Sequence, residues 1–435
     1  MESKPLTFGK CATEVRDKVQ PEDANNVIYI GLEHIEQGTL HLNGFGSAND
    51  VSSTKSKFSK GDILFGKLRP YFRKVVRAPF DGVCSTDIWV VRSINGIDQD
   101  FLYYWMASQE FVDFSMQGSE GTKMPRAKWN HVSRHQVPFF TEDEQKAIAH
   151  ILGSLDDKIE LNRRMNETLE AMAQALFKSW FVNFDPVIDN ALSAGNEIPE
   201  ELKERADIRE ALGDARKPLP LEIRELFPAE FEHTEEMGWI PKGWKVRNVK
   251  SVIEINPSVK LTKNTVAPFV DMKALSTTGY SVGEIIEKPY AGGAKFQNGD
   301  ILLARITPCL ENGKTAIADF LDGDQVGFGS TEFIVLRGQG VIGTPFVACL
   351  SRNEKFRDHC IQSMVGSSGR QRVQNACFSN FYLPIPKGKD ILGQFHLLTE
   401  GSFNKITKHS EQSRVLTSLR DTILPQLLSG EMRIP

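Results

Sequence analysis

The chain has 435 residues, of which 40% are hydrophobic and 25% charged, a composition that can bury the cores of two or three domains. The first ten residues, MESKPLTFGK, contain no apolar segment, and no run of about 18 apolar residues follows. We therefore expect neither export nor membrane insertion, and predict a cytoplasmic protein. Six scattered cysteines form no CxxC pair, and the histidines complete no ligand set, so neither a disulfide framework nor a metal site is predicted.

The net charge of −4 is unevenly distributed along the chain. Residues 189–236 contain fourteen Asp or Glu and six Lys or Arg, a net −8 that leaves the remainder of the chain at +4. Residues 54–77 are strongly basic, with eight Lys or Arg and a single acid, Asp62. Such a cluster attracts phosphates at long range. A solvated charged face is the alternative interpretation of this segment.

One unit of sequence occurs twice. The segment KFSKGDILFGKLRP at 57–70 recurs as KFQNGDILLARITP at 295–308, with seven of fourteen positions identical. In the same order, STDIWVVR at 85–92 recurs as STEFIVLR at 330–337, and GSEG at 118–121 as GSSG at 366–369. The chain is therefore a diverged duplication. The matched pairs Gly61-Asp62 and Gly299-Asp300 are interpreted as turn residues with a structural role.

Each copy predicts a mixed α/β domain of about 140 residues, a usual domain size. The first copy has strand-like runs in VIYIGLEHI, DILFGKL and STDIWVVR, and the second in APFVDMKAL, DILLARI and STEFIVLR. An apolar helical stretch follows in each copy, DQDFLYYWMASQEFVDFSM and GTPFVACLSRNEKFRDHCIQSM, and leads to the GSxG turn.

A long helix is predicted after each copy. Thr141 and Glu144 form a capping-box pattern at the start of the first helix. Its seam has heptad spacing and contains Ile148, Leu152, Leu155, Ile159, Asn162, Asn166, Leu169, Ala173, Leu176 and Trp180. The second seam contains Ile406, His409, Ser413, Leu416, Ile423 and Leu427. About 40 helical residues make a spacer of roughly 60 Å.

Neither stripe can be buried alone, so the two helices are expected to pair, and the order of the elements makes the pair antiparallel. Asn162 and Asn166 would then face His409 and Ser413 and fix the register. Alternatively, the seam opens there for solvent or a partner. The predicted fold class is α+β: two similar mixed α/β domains held apart by two long antiparallel coiled-coil helices, with pseudo-two-fold symmetry. The predicted boundaries are 1–140 and 237–387 for the domains, 141–185 and 388–435 for the helices, and 186–236 for an acidic linker with a short helix.

The chain has no complete catalytic motif. It lacks a full GxGxxG, a P-loop, HExxH and GxSxG, and Asn256-Pro257-Ser258 only begins the tetrapeptide (N/D)PP(Y/F) of amino-methyltransferases. The sequence favours a recognition protein over an enzyme.

Three segments resemble the specificity (S) subunits of type I restriction-modification systems. ILGSLDDKIELNRRMNETLEAMAQALFKSWFVNFDPV at 151–187 resembles the central spacer helix of that family, with its LDxKIxxN core, LFxxWF end and FDPV sequence. LRDTILPQLLSGEMRI at 419–434 is similar to the second spacer helix, and GWIPKGW at 238–244 to the entry of the second recognition domain. The second helix lacks the LFxxWF end. The resemblance covers nearly the whole chain.

The resemblance implies a non-catalytic subunit of a DNA methylation and restriction complex that defends against foreign DNA. Each copy would be a target recognition domain that reads one half of an asymmetric, bipartite sequence in double-stranded DNA. The helices would set the half-site distance and dock two modification (M) subunits, which bind S-adenosylmethionine and methylate adenine, so no cofactor is expected in this chain. Restriction (R) subunits would join to cleave DNA. The alternatives are a coiled-coil scaffold and a fused DNA methyltransferase or nuclease.

The candidate DNA-binding residues follow the GDIL strand and the GSxG turn of each copy. Arginine suits a contact with guanine, and asparagine or glutamine with adenine; many of the contacts would be to phosphates. Divergent positions, such as Arg69 against Thr307 and Lys123 against Gln371, are expected to choose the sequence. The candidates in full are Lys67, Arg69, Tyr71, Arg73, Lys74, Thr122, Lys123, Arg126, Lys128, Arg305, Thr307, Asn312, Lys314, Arg370, Gln371 and Arg372.

A second set of residues on the helices is a candidate surface for an M subunit. Packing against the other helix is the alternative, and is favoured for Trp180 because it falls on the seam. The set is Phe177, Trp180, Phe181, Phe184, Leu427 and Leu428.

Overall fold

The contacts within the chain divide it into two domains. A computed structural model describes residues 6–24, 26–121, 123–213 and 219–433. Domain one comprises residues 1–159 and 415–435, and domain two comprises residues 160–414. Each long helix is therefore divided between the domains. The domain boundaries given above from the sequence stay predictions.

Domain one is built on two sheets. The first is antiparallel, in the order β2-β10-β7-β8, and the second has the order β3-β6-β9-β4-β5 with β4 parallel to β9. The strands are β1 Leu6–Thr7, β2 Ala12–Val15, β3 Lys18–Val19, β4 Ile28–Ile30, β5 Gly46–Ser47, β6 Lys55–Phe58, β7 Ile63–Gly66, β8 Val75–Arg77, β9 Gly82–Cys84, β10 Ile88–Ser93 and β11 Gln136–Val137. The helices are α1 Phe8–Cys11, α2 Gln99–Ala107, α3 Gln109–Gln117, α4 Trp129–Val132 and the start of α5 Glu142–Phe177.

Domain two repeats this design. Its antiparallel sheet β15-β22-β19-β20 corresponds to β2-β10-β7-β8, and a second sheet has the order β17-β16-β21-β18. The strands are β12 Phe231–Thr234, β13 Gly238–Pro241, β14 Lys245–Asn248, β15 Ile253–Ile255, β16 Val266–Val270, β17 Ile285–Pro289, β18 Ala294–Phe296, β19 Ile301–Ala304, β20 Thr315–Ile317, β21 Gly327–Gly329, β22 Phe333–Gly338 and β23 Tyr382–Ile385. The helices are α6 Asp185–Ala194, α7 Glu200–Ala211, α8 Leu221–Arg224, α9 Thr344–Ser351, α10 Glu354–Gln362 and the start of α11 Asp390–Ser429.

The duplicated GD turn has the structural role predicted for it. Gly61 and Gly299 have φ values of 90° and 87°, which a side chain disfavours. Asp62 and Asp300 are buried, and each accepts a bidentate pair of hydrogen bonds from an arginine on the neighbouring strand. These arginines are Arg92 and Arg337, the last residues of the second repeated segment.

Each apolar helical stretch predicted from the sequence is two helices. Ser108 separates α2 from α3, and its side chain accepts a hydrogen bond from the amide of Phe111 at 3.2 Å. Asn353 separates α9 from α10 in the same way, through the amide of Phe356 at 3.2 Å. Both residues are N-caps, which favour a new helix start over a continuous helix.

The long helices α5 and α11 are confirmed. Within domain two, Asn162 donates to Oε1 of Gln412 at 2.9 Å and to Oγ of Ser413 at 3.3 Å, while Asn166 lies 2.9 Å from Nδ1 of His409. Both asparagines are buried. Because the residue number on α11 falls as the residue number on α5 rises, the two helices are antiparallel. The predicted register is correct, and the described contacts fill the seam at the asparagines.

After Phe177, α5 continues as a π-helix, Lys178–Val182, whose aromatic residues enter the core of domain two. The acidic segment then packs α7 against α6. Asp185 accepts two hydrogen bonds from Arg205, at 2.7 and 2.8 Å, and Asp189 pairs with Arg209.

No helix among the described residues is long and apolar enough to cross a membrane.

Candidate nucleic-acid interface

Two loops in each domain contain the predicted DNA-binding residues. Loop A follows the GDIL strand and comprises residues 67–74 in domain one and 305–314 in domain two. Loop B contains the GSxG turn and comprises residues 118–128 and 366–374. Thr122 lies outside the described residues.

In domain one, backbone hydrogen bonds join the two loops. The amide of Arg69 donates to the carbonyl of Pro125 at 2.7 Å, and the amide of Ala127 donates to the carbonyl of Lys67 at 2.9 Å. Leu68 and Arg126 form an antiparallel bridge between these bonds. Segments separated by more than fifty positions in the sequence therefore form one surface.

Domain two has the same ladder. The amide of Thr307 donates to the carbonyl of Gln371 at 3.1 Å, and the amide of Val373 to the carbonyl of Arg305 at 2.9 Å. Ile306 and Arg372 form the bridge. The structural equivalents are thus Arg69 with Thr307, and Pro125 with Gln371. The sequence-based pairing of Lys123 with Gln371 is wrong, because loop B of domain one is longer between its GSxG turn and the bridge.

An arginine–carboxylate pair anchors loop B in both domains. Arg126 contacts Oδ1 of Asp87 at 3.0 Å. Arg372 holds Glu332 in a bidentate pair, from Nε to Oε2 at 2.9 Å and from Nη2 to Oε1 at 2.6 Å. This hydrogen bonding lowers the pKa of Glu332.

Asp87 and Glu332 end the repeated ST(D/E) sequence and are not among the candidate residues predicted from the sequence. Their acidity in both copies, opposite a basic residue in both copies of loop B, was the available signal. The backbone carbonyls of the same two acids accept the amides of Lys67 and Arg305. The acids thus connect loop A to loop B.

Two of the predicted lysines are structural. Nζ of Lys74 donates to the carbonyl of Leu32 at 2.5 Å, and Nζ of Lys314 donates to the carbonyl of Met272 at 2.8 Å. These are equivalent positions, each closing loop A onto a short 3-10 turn. Burial lowers the pKa of Lys74 and, in the same loop, of Lys67.

The remaining candidates differ in whether their side chains already form a hydrogen bond or an ion pair within the chain. Arg73 donates to the carbonyl of Gly38 at 2.7 Å, Arg305 donates to the carbonyl of Val373 at 2.8 Å, and Lys128 pairs with Glu120. Other side chains have no hydrogen bond or ion pair within the described part of the chain. They are Lys67, Arg69, Tyr71, Lys123, Asn312, Arg370 and Gln371.

The candidates for partner contact are buried inside their own domains. Phe177, Trp180, Phe181 and Phe184 belong to the core of domain two, and Leu427 and Leu428 to that of domain one. Packing is therefore the role that the contacts support. Exposed apolar side chains on α5, which the sequence analysis missed, are Leu161, Met165 and Met172.

No group of three His, Cys, Asp or Glu side chains in the described ranges is arranged to hold a metal ion. The six cysteines are all free thiols.

The chain is similar to proteins that carry one description. The family model for the type I restriction modification DNA specificity domain matches residues 10–171. The chain is 25% identical to the type I restriction enzyme HindI specificity subunit of Haemophilus influenzae, over 99% of each chain. It is 23% identical to the MjaIX specificity subunit of Methanocaldococcus jannaschii, over 96% of this chain and 86% of the other. Among solved structures, the S subunit of a type I system from M. genitalium aligns with 97% of this chain and 94% of its own, at 14% identity and a TM-score of 0.48.

The matched family model covers the first copy of the repeated unit and most of α5. By the family model and by both relatives, the chain is similar to type I restriction-modification specificity subunits.

Proposed function

We propose that this chain reads an asymmetric, bipartite DNA sequence, with one half contacted by each domain. The surface shared by loops A and B is the contact region in both. The observation that supports this most directly is the repeated ladder between the loops, which presents different side chains from one backbone frame. Two identical domains would read equal half-sites, whereas two diverged domains read unequal ones.

The side chains of loops A and B that have no partner within the described residues can bind phosphates and base edges of DNA. Lys123 and Arg370 are exposed cations available to phosphates or to guanine, and the amides of Asn312 and Gln371 suit adenine. Tyr71 is 47% exposed and offers an apolar face. The long helices α5 and α11 connect the two readers and set the distance between half-sites.

We further propose that the chain itself is not catalytic. Two M subunits bind S-adenosylmethionine and methylate adenine in the selected sequence, and R subunits join them to cleave DNA. The exposed residues Leu161, Met165 and Met172 are spaced on one face of α5 and offer an apolar docking surface.

The test is to co-express the chain with a matching M subunit and to map methylated adenines across a genome. We expect one motif with two unequal halves and a fixed number of unspecified base pairs between them. A palindromic motif, or no modification, would contradict the proposal. Binding of S-adenosylmethionine by the purified chain alone would contradict its non-catalytic part.

A further inference from the structure

Loops A and B differ between the domains in a correlated way. In domain two, the amide of Gln371 donates to Oγ1 of Thr307 at 3.1 Å, in addition to the backbone bond between the same residues. In domain one the position of Gln371 is occupied by Pro125, which has no amide hydrogen. No acceptor is needed there, and the position of Thr307 is occupied by Arg69.

This exchange changes which loop presents an unpaired polar side chain. In domain two, the hydroxyl of Thr307 is occupied, and the side-chain amide of Gln371 has no partner among the described residues. In domain one, Pro125 offers no polar side chain. The guanidinium of Arg69 instead lies 5.9 Å from the ring centre of Phe72, and its Nε is buried without a hydrogen-bond partner in the described structure.

The backbone of Arg69 is a second sign of a functional position. Its φ of 52° is in the left-handed region, which is unfavourable for a residue other than glycine. Strained backbone of this kind is enriched at ligand-binding sites. The terminal nitrogens of Arg69 have no hydrogen-bond partner among the described residues, and they are available to a ligand that accepts hydrogen bonds.

We propose that Arg69 in domain one and Gln371 in domain two are the specificity-determining residues of this bridge position, and that the reading side chain has moved from loop A to loop B between the copies. This inference rests on the proposed function. Arginine pairs best with guanine, and glutamine with adenine. Thr307 is a positioning residue, because it holds the backbone of Gln371.

Arg126 and Arg372 have a different role from their neighbours. Both are paired with a carboxylate at equivalent places, so they form a common frame rather than a difference between the domains. Arg370 and Gln371 are left to contact DNA. The segment Arg370–Arg372 thus contains two residues available to DNA, of which Gln371 determines specificity, and one that positions the loop.

The test uses the complex with the M subunit and the base preference at every position of each half-site. Gln371→Ala should reduce discrimination at one position of one half-site by about tenfold and leave the other half unchanged. Arg69→Ala should do the same in the opposite half. Gln362→Ala and Arg134→Ala remove the same side-chain types from exposed positions elsewhere in each domain and should change neither half.

Conservative variants of Thr307 and Glu332 distinguish residues that position the loops from residues that contact bases. Thr307→Val removes the acceptor and should lower modification at every sequence that shares the second half, while Thr307→Ser should restore it. Glu332→Gln should likewise lower the rate without altering the preferred base.

If wild type gives a bipartite motif and Gln371→Ala leaves every base preference unchanged, the inference is overturned and the proposed function stands. If wild type gives no bipartite motif, the proposed function itself fails.

Discussion

Arg420 on α11 donates from Nη1 to Oδ1 of Asp156 on α5 at 2.7 Å, within domain one. Arg420 is fully buried, and its Nη2 also contacts Asp421 at 3.0 Å. Asp421 in turn lies 3.4 Å from Arg73 of loop A. The charged network therefore links both long helices to a loop of the candidate interface.

Replacing Arg420 should destabilise domain one. Arg420→Ala leaves Asp156 without its buried cation, and breaking a buried pair in this way costs about 3 kcal/mol or more. Chemical denaturation of the variant should show a lower midpoint for domain one. Arg134→Ala, which removes an exposed arginine of the same domain, is the control and should leave the midpoint unchanged. Equal midpoints for Arg420→Ala and wild type would show that the pair contributes nothing.

The buried carboxyl group of Glu170 makes domain two sensitive to pH. Burial raises its pKa to about 7, although its side chain accepts a hydrogen bond from the amide of Tyr280 at 3.1 Å. A carboxyl group with a raised pKa in the folded state contributes stability that is complete below its unfolded pKa. That contribution is lost as pH rises through about 7.

Glu170→Gln should remove this dependence, because the amide keeps an acceptor for Tyr280 without a titrating proton. We expect the variant to exceed wild type in unfolding free energy by up to about 3 kcal/mol at pH 8, and to match it near pH 4. Denaturation of both proteins at the two pH values makes the comparison. A difference that is the same at both would contradict a role for ionisation.

Variants of Trp180 and variants of the exposed residues on α5 should have different effects. The first should lower the stability of domain two, and the second should reduce binding of the M subunit. Trp180 is 1% exposed, so Trp180→Ala should lower the stability of domain two by about 3–5 kcal/mol. Met165→Asp and Met172→Asp should instead reduce co-purification with the M subunit while leaving stability nearly unchanged. Loss of M binding by a Trp180→Ala protein of normal stability would restore Trp180 as a docking residue.

Lys123 should contribute affinity for DNA without sequence preference. It is exposed and has no ion pair within the described residues, so Lys123→Ala should weaken binding to all duplexes and reduce the slope of log K against log salt by about 1. Lys128→Ala is the matched control, because Lys128 already pairs with Glu120 and its removal should change the slope less. An equal change in both variants would contradict a phosphate contact specific to Lys123.

The sequence predicted features that depend on local pattern. The GD turns, the capping box of Thr141 and Glu144, and the asparagine register of α5 and α11 all follow from short motifs or from periodicity, and the structure confirms them. The sequence also predicted that loops A and B contain basic residues. Their convergence is a long-range pairing that no local pattern encodes.

The sequence analysis failed where tertiary contacts decide. The aromatic residues Phe177 to Phe184 have the composition of an interface, and only the core of domain two shows that they are buried. Lys123 was aligned with Gln371 by distance from the GSxG turn, which a longer loop B invalidates. The roles of Asp87 and Glu332 required the arginines opposite them to be seen in space.

The central claim is that each domain reads one half of the target independently. The direct measurement is the methylation map of the complex for two variants, one with Arg69 and Arg126 replaced by alanine and one with Arg370, Gln371 and Arg372 replaced by alanine. The account predicts that each variant still assembles with M and that each relaxes or alters one half only, the two halves being different. Modification of the unchanged full sequence by both variants, or loss of the same half in both, would contradict it.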